Sequence, residues 1–294
     1  MIQLEGLTKR FSNGKGIFDI QFEVQAGKVF GFLGPNGAGK TTTIRHLMGF
    51  FHPTKGTAKI DGMDCWQDAA RIQEKVGYLP GEIALMENMN GLDLIRLICD
   101  MRRLKDRKRR DELIERFQFD PDVPIRKMSK GMKQKVGIIL AFMHNPEILI
   151  LDEPTSGLDP LMQKTFVELL EEEKIQGKTI LMSSHMFQEI DRTCDQVGLI
   201  KEGRMITVND VAEVRKQQQK VFVVTFGSVQ EVEKLKTADL LVRHQEGSRV
   251  EVVIRDDYPL FLKTLASLDV QNLDLHTQSL EELFMHYYEQ EGRS

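Results

Sequence analysis

The chain has 294 residues, 41% of them hydrophobic and 29% charged, with a net charge of −4. That make-up suits a folded, water-soluble protein of about two domains, and it excludes a disordered chain and a basic protein drawn to nucleic acid by bulk charge. Three scattered cysteines, Cys65, Cys99 and Cys194, exclude a disulfide framework and a C-x-x-C zinc site and fit a reducing cytosol.

The opening run, MIQLEGLTKRF, meets a charge at Glu5 and lacks the apolar core of a signal peptide. Apolar stretches such as Val136 to Met143 fall well short of the ~20 residues that cross a bilayer. Any membrane-spanning part is therefore expected on another polypeptide. Val29 to Leu33 predicts a strand running into a Gly-rich turn, and Thr43 to Phe50 a helix. From about 83 to 128 helical patterning dominates. Within it, Arg102 to Arg110 holds seven basic residues in nine. Such a run could meet anionic lipid or RNA, but a solvated helix connection is the favoured reading. Further on come a buried strand at Glu147 to Leu151, a helix at Leu161 to Ile175 stopped by Gly177, and a strand at Thr179 to Met182. Strands alternating with helices predict an α/β core with parallel central strands.

The pattern changes near residue 216. Lys220 to Thr225 predicts a strand, Val229 to Lys236 a helix, and Leu240 to Arg243 with Val250 to Ile254 two strands about a turn at Gly247 and Ser248. A helix at Tyr258 to Leu268, a strand at Val270 to Leu275 and a last helix at Leu280 to Tyr288 follow. The order β-α-β-β-α-β predicts a small α+β ferredoxin-like domain. The expected division is therefore 1–215, with a helical subdomain at about 83–134, and 216–294.

Two local patterns carry chemistry. Gly34, Pro35, Asn36, Gly37, Ala38, Gly39, Lys40 and Thr41 match G-x-x-x-x-G-K-[ST] between a strand and a helix. In such a loop the backbone N–H groups curl inward and the helix adds its positive end, so phosphate is cradled. Lys40 adds a point charge for the β- and γ-phosphates, the Thr41 hydroxyl can reach a bound Mg²⁺, and Thr42 is a further candidate for binding the nucleotide. The second pattern is Ile148 to Glu153, an apolar strand ending in two acids. Asp152 is placed to bind Mg²⁺ through water or directly, and Glu153 to take a proton from an attacking water.

With these motifs the chain resembles the ATP-binding-cassette (ABC) ATPases. Leu151 to Pro160 reads LDEPTSGLDP, like that family's Walker B and D-loop. Met128 to Gln134 resembles its signature at a helix start, and Ser183-Ser184-His185 its switch histidine. The resemblance covers about residues 2 to 210 and implies a P-loop NTPase core with ATP and Mg²⁺ as ligands. It further implies that two ABC ATPase subunits, as a homodimer or a heterodimer of related chains, face each other head to tail. Ser129 and Gly131 of one would then reach the γ-phosphate held by the other, with Asp159 at the seam and His185 on the γ-phosphate. Phe11 lies where the family stacks an aromatic on adenine. The resemblance makes the protein an ATPase at the cytoplasmic face of a membrane, serving separate transmembrane permease subunits, with no nucleic-acid partner expected. The C-terminal segment resembles that of type 2 exporters.

Two departures stand out. The family commonly places Gln after a Tyr-x-Pro run, but here Tyr78-Leu79-Pro80 is followed by Gly81 and Glu82. Glu82 is the candidate replacement as a metal contact. The signature has Lys130 and Met132 where Gly and Gln are common, yet keeps Ser129 and Gly131. A soluble ABC protein acting on nucleic acid or the ribosome is the alternative. It is disfavoured by a single phosphate loop, fewer than a hundred residues between Lys40 and Ser129, and no cysteine pair. A kinase or GTPase would leave the LDEPTSGLDP run unexplained.

Overall fold

A computed structural model describes residues 1–216, 220–254 and 258–277. The chain divides into two compact units between Val211 and Ala212. In chain order the first runs β1 (Ile2–Arg10), β2 (Gly16–Val24), β3 (Val29–Leu33), α1 (Lys40–Leu47), β4 (Lys55–Ile60), β5 (Met63–Asp64), α2 (Ala69–Lys75) and β6 (Val76–Leu79). Then come α3 (Gly91–Met101), α4 (Lys108–Arg116), α5 (Lys130–Phe142), β7 (Ile148–Asp152), α6 (Pro160–Ile175), β8 (Thr179–Ser184), α7 (Phe187–Thr193), β9 (Gln196–Lys201) and β10 (Arg204–Asp210).

Two sheets form this unit. The larger has the order β10-β9-β3-β8-β7-β6 and is parallel from β9 to β6. Its central strands read VFGFL, TILMSS and ILILD and are buried at every position, as strands covered on both faces must be. The smaller sheet, β2-β1-β4-β5, is antiparallel. Its β2 alternates buried and exposed residues, the period-2 pattern of a strand wetted on one face. One apolar cluster joins Ile2, Leu4, Ile20 and Phe22 of this sheet to Phe30, Phe32 and Leu181 of the other, with Ile44 and Leu47 of α1 included. The helix that follows the phosphate loop is thus anchored in the main core.

Helix α1 starts and stops three residues earlier than the sequence suggests. Gly39, at φ 114°, passes straight into the helix, and Gly49, at φ 70°, closes it. The helical region consists of α3, α4 and α5. Five of the seven basic residues between Arg102 and Arg110 are engaged within the chain. Arg102 donates to the carbonyls of Gln73 and Glu74, and Arg107, Lys108, Arg109 and Arg110 pair with Asp100, Glu112, Glu173 and Asp111.

The second unit opens with α8 (Val211–Lys216), which begins on the last residue of the first. It continues with β11 (Lys220–Phe226), α9 (Val229–Lys236), β12 (Leu241–Glu246), β13 (Arg249–Ile254), α10 (Tyr258–Leu265) and β14 (Val270–Thr277). The sheet order is β12-β13-β11-β14 with every neighbour antiparallel, which is the ferredoxin-like arrangement. Val224, Phe226, Val250 and Val252 on one sheet face pack with Val232, Leu235, Phe261 and Leu265 of its two helices. The helix expected at Leu280 to Tyr288 lies outside the described residues.

Candidate active site

The loop from Gly34 to Gly39 joins the buried strand β3 to α1. Gly39 sits at φ 114°, and a Cβ there would come within 2.8 Å of Ile17, so only glycine fits. Helix α1 has no side-chain cap and no acid in its first turn. Its N-terminal amides and positive dipole end are thus left available to an anion. Lys40 is buried, and its Nζ donates to the carbonyls of Gly34 at 2.6 Å and Pro35 at 3.3 Å.

Strand β7 delivers the acids beside this loop. Glu153 Oε1 lies 3.1 Å from Lys40 Nζ but accepts no hydrogen bond in the structure, so the contact is an ion pair only. At that spacing the attraction is about 5 kcal/mol for an effective dielectric near 20, before desolvation. The other oxygen, Oε2, lies 2.6 Å from His185 Nδ1. Glu153 itself has φ 49°, a left-handed conformation that costs a non-glycine residue about 1–3 kcal/mol and concentrates at functional sites. Its N–H donates to the carbonyl and hydroxyl of Ser183, at 3.2 and 3.0 Å.

Asp152 is fully buried. Its Oδ1 accepts from Ser183 Oγ at 2.5 Å, while Oδ2 is buried without a partner. Gly81 lies against that free oxygen, since a Cβ there would sit 3.0 Å from it. An orphaned carboxylate oxygen next to the phosphate loop suits a hard cation, which takes oxygen ligands. No cluster of three or more His, Cys, Asp or Glu side chains able to hold a metal occurs among the described residues. Mg²⁺ therefore fits here as a partner of bound phosphate rather than in a cage of its own.

Two hollows flank the loop. One, of about 350 Å³, is lined by Phe11, Lys15, Asn36, Lys40, Thr42 and Glu153 among others. Phe11 is half-buried there, edge-on to Phe51 with centroids 5.8 Å apart. The other, of about 520 Å³, has Thr41, Arg45, Tyr78, Glu82, Glu153 and His185 in its wall. Glu82 is exposed at its rim. Burial, aided by Asp152, pushes the Tyr78 hydroxyl up to about 12, so it stays protonated.

Ser129, Gly131 and Asp159 line neither hollow. Ser129 caps α5, accepting from Met132 N at 3.2 Å, and Asp159 caps α6, accepting from Met162 N at 3.0 Å. Both are exposed. Gly131 packs on the Gly157 carbonyl, where a Cβ would come within 2.6 Å.

Three contributors escaped the sequence reading. Gln134 donates to the Pro154 carbonyl at 2.8 Å, tying α5 to the segment after Glu153. Its signal was a lone amide on the apolar side of a helix. Arg45 lies one turn after Thr41 on α1, the spacing that puts two residues on one face. Glu189 of α7 accepts from both Thr155 and Ser184, and no local pattern announces it.

A family model described as ABC transporter matches residues 17–156. The bacitracin transport ATP-binding protein BcrA of Bacillus licheniformis is 34% identical over 226 residues, covering 75% of this chain and 73% of that one. The Nod factor export ATP-binding protein I of Ralstonia nicotianae is 31% identical over 276 residues, covering 91% of this chain and 77% of that one. Among solved structures, the ATP-binding subunit of an ABC transporter superimposes with a TM-score of 0.67 at 29% identity, over 74% of this chain and 92% of that one. Likeness of this extent, on a fold that brings the phosphate loop to Asp152 and Glu153, makes the chain an ATPase of the ABC transporter family.

Proposed function

We propose that the chain is the motor of a membrane exporter and that it works as two copies with ATP shared between them. The observation that carries this reading is the asymmetry of its motifs. Glu153 touches both Lys40 and His185 beside the loop, whereas Ser129 and Asp159 are exposed. In the proposed cycle the triphosphate lies along the loop amides, with Lys40 at its β- and γ-phosphates and Phe11 against adenine. Mg²⁺ would be held by Thr41 and Asp152, with Glu82 a further candidate contact, and would neutralise charge on the phosphates. Glu153 accepts a proton as water attacks the γ-phosphorus. The bond to the β–γ bridging oxygen breaks, and ADP and phosphate result. His185 hydrogen-bonds the γ-phosphate and keeps Glu153 in place. A second copy supplies Ser129 and the Gly131 N–H to the same phosphate, again at a helix N-terminus, with Asp159 at the seam.

No helix among the described residues is long and apolar enough to cross a membrane, so the translocation path is assigned to separate permease subunits at whose cytoplasmic face this chain binds. A hollow of about 780 Å³ lined by Gln73 and Glu74 of α2 and by Met101 and Arg102 at the end of α3 suits a short helix of such a subunit. Export, rather than import, is supported by the name of the Nod factor export relative, whose alignment covers 91% of this chain and so extends into the second, ferredoxin-like unit. The test is Ser129→Arg. Turnover should vanish while the isolated chain still binds nucleotide, and parental turnover in this variant would contradict the shared site.

A further inference from the structure

We infer that Ser183 is a positioning residue for the metal ligand Asp152, an inference that rests on the Mg-ATP reading above. Parallel pairing of β7 with β8 sets Asp152 directly opposite Ser183, so both side chains project to the same side of the sheet. Ser183 is fully buried. A serine hydroxyl has one proton to give and two lone pairs with which to accept, and here both roles are taken. It donates to Asp152 Oδ1 at 2.5 Å and accepts from Glu153 N at 3.0 Å. The first bond fixes the carboxylate's rotation and occupies one oxygen. What remains is Oδ2, buried, without a partner, and turned toward Gly81 at the edge of the nucleotide hollow.

The hydroxyl thus presents a single aimed oxygen in place of a carboxylate free to swing. Outer contacts of this kind orient metal ligands, and removing one typically costs about 10–100-fold in metal affinity. Truncation of Ser183 separates the two acids. In Ser183→Ala, Glu153 N keeps its second acceptor, the Ser183 carbonyl at 3.2 Å, whereas Asp152 Oδ1 loses the donor that Ser183 supplies. The effect should therefore fall on the metal and not on the base.

The experiment titrates Mn²⁺, read by the electron paramagnetic resonance of the free ion, against the full chain with ADP, alongside ADP binding in EDTA. Ser183→Ala should weaken Mn²⁺ about 10–100-fold and leave metal-free ADP binding unchanged. The Mg²⁺ concentration for half-maximal turnover should rise by a similar factor. Ser183→Cys, near-isosteric and a weak donor, should fall between parent and Ser183→Ala and guards against a folding artefact in the alanine variant. Parental Mn²⁺ affinity in both variants would overturn the assignment, as would metal-free ADP binding lost in parallel with Mn²⁺ binding. Asp152→Ala separates the two ideas. If that variant also keeps parental Mn²⁺ affinity, the metal site itself is misplaced, whereas its loss beside an unaffected Ser183→Ala counts against Ser183 alone.

Discussion

The phosphate-loop side of the ATPase unit and its signature side are built from the same device, a helix N-terminus after a tight turn, but they are finished differently. Around α1 the side chains engage one another: Lys40 meets Glu153, Glu153 meets His185, and Ser183 holds Asp152. Around α5 and α6 the side chains of Ser129 and Asp159 accept from first-turn amides of their own helices, and both residues are exposed. One side has its chemistry assembled within the chain. The other presents a cap and a close-packed glycine, Gly131, outside both hollows beside the loop. That difference is what a site divided between two copies requires, and it can be broken at either side.

After the loss of turnover expected of Ser129→Arg, the largest effect is expected at the assembled side. Glu153→Gln should retain ATP binding and lower steady-state turnover by about 10²–10⁴-fold, the usual worth of a general base. Hydrolysis at the parental rate would remove Glu153 from that role. A smaller effect, on stability, is expected where the signature-bearing helices join the core. Glu173 of α6 is fully buried and pairs with Arg109 of α4 and with Lys178. Glu173→Ala strands two cations and should cost about 3–5 kcal/mol in urea unfolding. Glu172→Ala removes the nearby half-exposed pair with Arg116 and should cost at most about 1 kcal/mol. Equal costs would show that the two contacts are not distinguished by burial.

Acid should loosen the same junction. Burial, reinforced by Arg102, holds His144 down at about 4, against an ordinary value of 6.5. The folded protein keeps this imidazole neutral while the unfolded chain protonates it. Its contribution is complete above pH 6.5 and is lost as pH falls from there to about 4, by up to about 3 kcal/mol. His144→Asn should flatten that part of the stability–pH profile, and an unchanged slope would assign the loss elsewhere. The smallest effect on stability belongs to the outward side. Asp159→Ala removes a helix cap and should cost about 1 kcal/mol in the isolated chain. Its effect on turnover should be the larger of the two if Asp159 works at a seam.

Much of this was legible in the sequence because it is local. The phosphate loop, the acids ending β7 and the order of the C-terminal elements depend on neighbours within a few residues. The antiparallel sheet of β1, β2, β4 and β5 was not, because β1 finds β4 across some fifty residues and its own pattern of exposure is irregular. The start of α1 was misjudged because Gly39 enters the helix without the Ser, Thr or Asp that usually marks such a start. Ser183 could be read as part of a motif but not as the neighbour of Asp152. That contact follows from sheet order, and strands 27 residues apart give no local sign of it.

The division of the site between two copies is tested most directly by sedimentation of Glu153→Gln, in which bound ATP should persist. With MgATP the sedimenting species should double in mass, and with ADP or without nucleotide it should return to a single chain. A single chain under all three conditions, while ATP remains bound, would contradict the account.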